Sequence, residues 1–223
     1  MKLNEIYNMD CLEGMKELPD SVCSLIIADP PYKIEGGGGA GKMRSGIFHR
    51  NKGGRQLFSY LKAEQYMGEF KRLLKPSGHV YVYSNDKNLL DILYNAEKSG
   101  LKLMNVLVVN KGNKVIYGWY MKQIEFICLF RNTEGHAKQV NNNSISNLID
   151  VKFPRGKNRT HPSEKGEDIT EIMVNQSSIE GETILIPFAG SGVECLIVKR
   201  LNRNFISYEL DKDFYELAIK RIN

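Results

Sequence analysis

The chain has one tryptophan among its 223 residues and lacks any long uninterrupted apolar run. A membrane-spanning helix needs about 20 predominantly apolar residues, and no segment approaches that length. The amino-terminal segment also lacks the continuous apolar core of a secretory signal. We therefore expect a cytoplasmic protein that does not enter a membrane. At this length we expect a single domain over residues 1–223.

Cysteines are scarce too, and their spacing excludes the commonest special roles of the residue. No two of them form a Cys-x-x-Cys pair, the spacing typical of zinc sites and redox motifs. We expect reduced, buried thiols, with no disulfide framework and no metal site. The four are Cys11, Cys23, Cys128 and Cys195.

The chain has 31 Lys and Arg residues against 26 Asp and Glu residues, which gives a net charge of +5. No acidic residue lies between Glu35 and Glu64. Residues 34–56 are rich in glycine and lack periodicity, so we expect a mobile basic loop there. Together with a second basic segment near residue 155, it could contact a phosphate backbone. A solvated surface without a ligand is the alternative. The candidate DNA-contacting residues are Lys42, Arg44, Arg50, Lys52, Arg55, Lys157 and Arg159.

Residues 36–43 share the glycine and lysine spacing of a phosphate-binding P-loop. That loop directly follows a strand, carries Ser or Thr after its lysine and leads into a helix. Here Met43 follows Lys42, and residues 43–54 do not form an amphipathic pattern. We therefore do not expect a P-loop.

Strand-like and helix-like stretches alternate along the chain, which is typical of α/β proteins. The predicted strands are 3–7, 23–28, 79–84, 101–109, 125–130, 182–187 and 204–208, with 101–109 and 125–130 forming a hairpin-like pair. Helices are predicted after Asp10, before Pro76, over 88–98, from His161, after Gly192 and from Asp213.

The apolar run of residues 22–28 ends in Asp29, Pro30, Pro31 and Tyr32. Open α/β sheets bind ligands at the carboxyl ends of their strands. The two prolines fix the backbone and remove two N–H donors, so carbonyl and carboxylate acceptors remain beside a flat aromatic ring. This set suits a planar substrate with an amino group, and an ordinary strand-ending turn is the alternative.

A second strand, residues 182–187, is followed by Phe188-Ala189-Gly190-Ser191-Gly192 and then by apolar residues at helical spacing. A strand, a Gly-x-Gly turn and a helix open a nucleotide-binding unit, because glycines let backbone amides approach the ligand. The next predicted strand ends at Glu209, where such folds place a ribose-binding carboxylate.

Two further segments carry candidate ligands. Asp10 follows the first predicted strand, so Asp10, Asp29 and Glu209 could converge on one crevice, although each could instead cap a helix. Residues 161–165 (His-Pro-Ser-Glu-Lys) are typical of a helix N-terminus, where amide donors attract anions.

Together these segments resemble the amino-methyltransferases of DNA, which transfer a methyl group from S-adenosylmethionine to adenine N6 or cytosine N4. Asp29–Tyr32 is similar to the catalytic signature of that family, and Phe188–Gly192 to its cofactor loop. Residues 10–11, 72–78, 161–165 and 205–209 add supporting similarity, and the order of the segments resembles the circularly permuted β class. The resemblance implies a Rossmann-like domain with a mostly parallel seven-stranded sheet, one antiparallel strand and helices on both faces.

The resemblance also implies roles for single residues. Asp29 and the Pro30 carbonyl would accept hydrogen bonds from the target amine, and Tyr32 would stack on a base flipped out of the duplex. The implied catalytic residues are Asp29, Pro30, Pro31 and Tyr32. The turn at 188–192 would hold the methionine end of S-adenosylmethionine, Glu209 its ribose, Asp10 its adenine amine, and Ser163 and Lys165 its carboxylate. The implied cofactor-binding residues are Asp10, Cys11, Asp29, His161, Ser163, Lys165, Phe188, Ala189, Gly190, Ser191, Gly192 and Glu209.

The chain departs from the family pattern at three places. Ile186 stands where an Asp is common, Val193 where a Thr tends to follow the Gly-x-Gly turn, and Gly166 where a Pro usually follows the lysine. The missing acid removes a partner for the α-amino group of the cofactor, and Glu194 could compensate for it.

Asp at the first position of the catalytic signature favours adenine, since Ser is commoner among the cytosine enzymes. We therefore expect a site-specific adenine-N6 methyltransferase of duplex DNA. Cytosine-N4 methylation is the main alternative, and an RNA or a protein amide is a further substrate to consider. A DNA- or cofactor-binding protein without turnover is the alternative from another class, motivated by Ile186.

Residues 133–160 are polar, rich in asparagine and basic, and we expect a small target-recognition segment there. A segment of this size is compatible with a homodimer or with a short target sequence. The expected partner is double-stranded DNA, and the sequence leaves open whether a cognate restriction endonuclease exists.

Overall fold

The computed structural model describes residues 1–31, 61–115, 120–151 and 165–223. The strands are β1 (Glu5–Tyr7), β2 (Cys23–Ala28), β3 (Leu74–Ser84), β4 (Leu101–Val115), β5 (Lys122–Asn132), β6 (Leu148–Asp150), β7 (Thr183–Ile186) and β8 (Asn204–Tyr208). The helices are α1 (Cys11–Lys16), α2 (Ala63–Leu73), α3 (Leu89–Lys98), α4 (Glu167–Ser177), α5 (Val193–Arg200) and α6 (Lys212–Ile222).

Within the described residues the strands form one sheet in the order β1-β8-β7-β2-β3-β5-β4-β6. Among the described strands only β5 runs antiparallel to its neighbours, and it forms with β4 the predicted hairpin-like pair. The part of the sheet that the structure describes has eight strands rather than the predicted seven. The additional strand is β6, which pairs with the edge of β4 over three residues. It lies in a polar segment whose sequence carries no strand-like alternation.

Helices cover both faces of the sheet, as expected, because the strands are apolar on both sides. On one face, α1, α2 and α3 pack against Ile26, Val80 and Phe130. On the other face, α4, α5 and α6 pack against Ile27, Tyr81 and Ile184. Successive residues of β2 point to opposite faces and all six are buried, as expected for a central parallel strand.

The direction of the chain connections reverses between β2 and β7, which are neighbours in the sheet. From β2 the chain passes through α2 to β3 on one side, whereas from β7 it passes through α5 to β8 on the other side. Such a reversal opens a crevice at the carboxyl ends of the two strands, where open α/β sheets bind their ligands.

Three predicted boundaries were wrong by five or six residues. Strand β4 ends at Val115, six residues beyond the predicted end at Val109. Strand β3 begins at Leu74, directly after α2, five residues before the predicted start at His79. Helix α4 begins at Glu167, with Gly166 as its N-cap, and not at His161. Glu167 and Asp168 therefore supply the acidic first turn, while Lys165 lies outside regular secondary structure, two residues before the helix.

Candidate functional site

Asp29 and Pro30 follow β2 at the crevice between the two halves of the sheet. The Asp29 side chain is 21% exposed, and Pro30 is buried. Pro30 and Pro31 line one side of a small pocket. Its other walls are Leu61, Tyr66, Asn88, Asp91 and Ile92. The predicted aromatic partner, Tyr32, lies outside the described residues.

The Gly-x-Gly turn connects β7 to α5, as the sequence predicts. Gly190 has a φ of 50° and Gly192 a φ of 77°, both in the left-handed region that favours glycine. The Gly192 N–H donates to the Ala189 carbonyl, and the Ala189 N–H donates to the Tyr208 carbonyl on β8. The turn is therefore a tight backbone structure anchored to the neighbouring strand.

The register of the sheet brings the two motifs to the same level. Ile26 pairs with Leu185, so three residues further along both strands Asp29 lies level with Phe188. Neighbouring strands are about 4.8 Å apart. The Tyr66 ring on α2 links the two motifs, because it lines the proline pocket and lies 6.2 Å, centroid to centroid, from the Phe188 ring. Both motifs therefore open on the same edge.

Glu209 occupies the same edge, one residue beyond β8. Its carboxylate accepts hydrogen bonds from the Gly190 N–H at 2.8 Å and from the Asp211 N–H at 2.9 Å. Burial raises the pKa of Glu209, while these two amides oppose the rise. A carboxylate can accept about four hydrogen bonds, so Glu209 retains capacity to accept from hydroxyl groups.

Asp10 and Cys11 lie after β1, which is the neighbour of β8. The Asp10 carboxylate accepts from the Leu12 N–H at 2.7 Å and caps α1. Cys11 is buried, and burial raises the pKa of its thiol to about 12. The negative charges of Asp10 and Glu209 add to this rise. The other three cysteines are also free and buried, as predicted.

A cluster of buried charges lies below Asp29, on the side of the sheet that α4 and α5 cover. The Lys165 ammonium is 3.2 Å from Asp29 Oδ2 and 3.0 Å from Glu125 Oε1. It also lies 4.2 Å from the centroid of the Tyr83 ring. Lys165 is only 8% exposed, so these contacts compensate for the burial of its charge.

Glu194, in the first turn of α5, is the third carboxylate of this cluster. Burial raises its pKa to about 7, and the charge of Asp29 adds to the rise. Lys165 and Arg221 act in the opposite direction. Ile186, at the position of the missing acid, is fully buried in the apolar core.

The structure thus places the described candidates along the carboxyl edges of β1, β8, β7 and β2. These candidates are Asp10, Cys11, Asp29, Pro30, Pro31, Lys165, Phe188–Gly192 and Glu209. The remaining candidates lie outside the described residues. These are Tyr32, Lys42, Arg44, Arg50, Lys52, Arg55, Lys157, Arg159, His161 and Ser163, with the loop at 34–56 and the P-loop-like residues 36–43.

Sequence reasoning missed Glu125, Tyr83 and Tyr66. Glu125 carried one usable signal, since it is a carboxylate within an otherwise largely apolar strand. Nothing in the sequence connects it to Lys165, which follows 40 residues later. Tyr83 and Tyr66 are fully buried aromatics, and such residues are usually core.

The edge of the sheet fits the cofactor that the sequence implied. The turn between β7 and α5 contains glycines with positive φ. Two acids follow parallel strands, and the carboxylate of one of them is ordered by two backbone amides. This set of donors and acceptors is suited to an adenosine linked to an amino acid. No group of three or more His, Cys, Asp or Glu residues that could hold a metal ion is found in the described ranges. In those ranges no helix is long and apolar enough to cross a membrane.

The chain is similar in sequence to known proteins. The family model described as DNA methylase, of the N6/N4 type, matches residues 23–220. The type II methyltransferase M.HinfI of Haemophilus influenzae is 25% identical to this chain over an alignment 246 positions long. The alignment covers 99% of this chain and 68% of that protein. The type II methyltransferase M2.DpnII of Streptococcus pneumoniae is 25% identical, with coverage of 97% and 88%.

Solved structures share the fold. The complex of M1.HpyAVI with S-adenosylmethionine has a TM-score of 0.71 at 22% identity and covers 97% of this chain and 98% of that one. The cytosine-N4-specific PvuII DNA methyltransferase has a TM-score of 0.74 at 15% identity and covers 98% of this chain and 86% of that one.

Proposed function

The chain belongs to the β class of the N6/N4 amino-methyltransferases of DNA, which use S-adenosylmethionine, and we propose that its substrate is the N6 amine of adenine in duplex DNA. The observation that carries this proposal is the common edge that Asp29-Pro30-Pro31 shares with the Gly190–Gly192 turn. A methyl donor held by the turn and an amine held by the acid and prolines would be neighbours there. Asp29, rather than Ser, supports adenine over cytosine.

The chemistry explains why acceptors are needed. An aromatic amine is a poor nucleophile because its lone pair is delocalised into the ring. The Asp29 carboxylate and the Pro30 carbonyl accept hydrogen bonds from the two amine hydrogens and so localise the lone pair on the nitrogen, toward the methyl carbon. A bound cofactor would supply an electrophilic methyl group, whose bond to the sulfonium sulfur breaks as the bond to the amine nitrogen forms, leaving a neutral thioether. The methylated amine then releases one proton, to Asp29 or to solvent. No covalent enzyme intermediate is required. Positioning of this kind contributes up to roughly 7–11 kcal/mol, with electrostatic stabilisation by Asp29 in addition.

The base must leave the duplex to reach this edge, which costs a few kcal/mol. In the proposal, Tyr32 stacks on the extruded base. The candidate DNA-contacting lysines and arginines of residues 34–56 and 152–159 bind phosphates, which makes binding sensitive to salt. Residues 133–160 read the target sequence. A homodimer, a cognate restriction endonuclease and a cytoplasmic location are parts of the same proposal.

Methyl transfer tests the proposal directly. The protein is incubated with duplex DNA of mixed sequence and with S-adenosylmethionine labelled in its methyl group, and the DNA is then digested to nucleosides. We expect the label in N6-methyldeoxyadenosine. Label in N4-methyldeoxycytidine would establish the alternative specificity. Cofactor binding without transfer would favour a binding protein without turnover, the candidate that Ile186 motivates.

A further inference from the structure

Lys165 is held from three strands of the sheet. Asp29 follows β2, Tyr83 lies on β3 and Glu125 on β5, and each contacts the Lys165 ammonium. The ammonium hydrogen-bonds Glu125 Oε1 at 3.0 Å and lies 3.2 Å from Asp29 Oδ2. A lysine side chain is ordinarily flexible. Here three contacts define one position for its charge.

The same contacts define where Asp29 points. A buried ammonium beside a carboxylate fixes that carboxylate only if the ammonium is itself fixed, and Glu125 and the Tyr83 ring supply this second constraint. Glu125 is 14% exposed, so its interaction with Lys165 is only weakly screened by water. Without Glu125, the ammonium would be drawn toward Asp29 alone.

We propose that Lys165 and Glu125 are positioning residues for the Asp29 carboxylate, with Glu125 acting only through Lys165. The family resemblance implies a different role for Lys165, as a ligand of the cofactor carboxylate. The present geometry engages its ammonium with two protein carboxylates instead. This inference rests on the proposed role of Asp29 in gripping the target amine.

Two variants and a double variant test the inference. Lys165→Met removes the ammonium but keeps most of the side-chain volume, and Glu125→Gln keeps the shape of its side chain but removes the charge. Lys71→Met is the matched control, because Lys71 forms a similar pair with Glu134 at 2.7 Å on another part of the molecule. For each protein, the Kd of S-adenosylmethionine is measured by calorimetry and the single-turnover rate with duplex DNA by label transfer.

We expect Lys165→Met to slow transfer by about a hundredfold and Glu125→Gln by about tenfold, since misplacement of a reacting group by about 1 Å can cost a hundredfold. The Kd of the cofactor should stay within about threefold of wild type in both, because neither side chain binds it. The double variant should be no slower than Lys165→Met alone, because coupled residues are not additive. Lys71→Met should match wild type.

A rise of about tenfold or more in the cofactor Kd of Lys165→Met, with transfer little changed at saturation, would overturn the inference. Multiplicative rate losses in the double variant would overturn the coupling. Because Lys165→Met leaves buried carboxylates without their cation, Glu125→Gln provides an independent rate test if the methionine variant does not fold. If Asp29→Ala is inactive while Lys165→Met and Glu125→Gln are fully active, this inference alone fails. If Asp29→Ala is fully active, the proposed function fails.

Discussion

The backbone N–H of Gly190 donates to Glu209 Oε2 at 2.8 Å. This hydrogen bond joins the turn after β7 to the residue after β8, so the Glu209 carboxylate holds the turn against the end of the neighbouring strand. The other carboxylate oxygen accepts from the Asp211 N–H, and the Asp211 side chain in turn caps α6. The position of the turn therefore depends on an acid that is 19 residues away in the sequence.

Removal of the Glu209 carboxylate should weaken the binding of S-adenosylmethionine. Glu209→Ala leaves the Gly190 N–H without its acceptor and removes the proposed ribose ligand. Hydrogen bonds to charged groups are worth about 1.5–3 kcal/mol, so we expect the Kd of S-adenosylmethionine to rise by about 10- to 100-fold in calorimetry. Glu216→Ala, on the exposed face of α6, is the control. An unchanged Kd in Glu209→Ala would remove Glu209 from the cofactor site.

Gly192 should not tolerate a side chain. Its φ is 77°, and a Cβ there would lie 2.9 Å from the Ala218 Cβ and 3.0 Å from the Ala218 Cα on α6. We expect Gly192→Ala to lower the free energy of unfolding in urea by about 1–3 kcal/mol. Gly68→Ala is the control, because nothing lies within 4 Å of its added Cβ, and in a helix it should stabilise by about 0.5–1 kcal/mol. Equal shifts in the two variants would contradict this packing.

Glu194 should make stability depend on pH. Burial raises its pKa to about 7 from a reference of 4.5, so between these values the folded protein binds more protons than the unfolded chain. Folding stability therefore falls as pH rises from about 4.5 to 7. A shift of this size corresponds to at most about 3 kcal/mol.

Glu194→Gln isolates this contribution, because glutamine does not titrate. The variant should gain stability relative to wild type as pH rises through that window, and the difference should level off above pH 7. Urea unfolding at a series of pH values measures it, with Glu180→Gln as a control at an exposed position. A difference between Glu194→Gln and wild type that does not vary with pH would show that Glu194 is not buried as a titrating acid.

The sequence was sufficient to predict those features that depend on local pattern. Strand β2 begins and ends at the predicted residues, because a buried apolar run between a polar turn and a proline pair has only one consistent interpretation. The Gly190–Gly192 turn was predicted for a similar reason, since few residues other than glycine adopt positive φ.

Features that depend on tertiary contact were not predictable. Strand β6 is only three residues long and lies within a polar segment. It forms because the edge of β4 offers unpaired backbone groups. The start of α4 was placed too early because His-Pro-Ser-Glu has the composition of a helix start, whereas Lys165 lies before the helix and pairs with Asp29 and Glu125. Glu125 was missed because its partner is distant in the sequence.

In the proposed function, Asp29 accepts a hydrogen bond from the target amine beside the bound methyl donor, and the Asp29→Ala variant tests this role. The measurement pairs the single-turnover rate of label transfer to duplex DNA with the Kd of S-adenosylmethionine. We expect the transfer rate to fall by about a hundredfold to a thousandfold, with a Kd within about threefold of wild type. Transfer at the wild-type rate would contradict it.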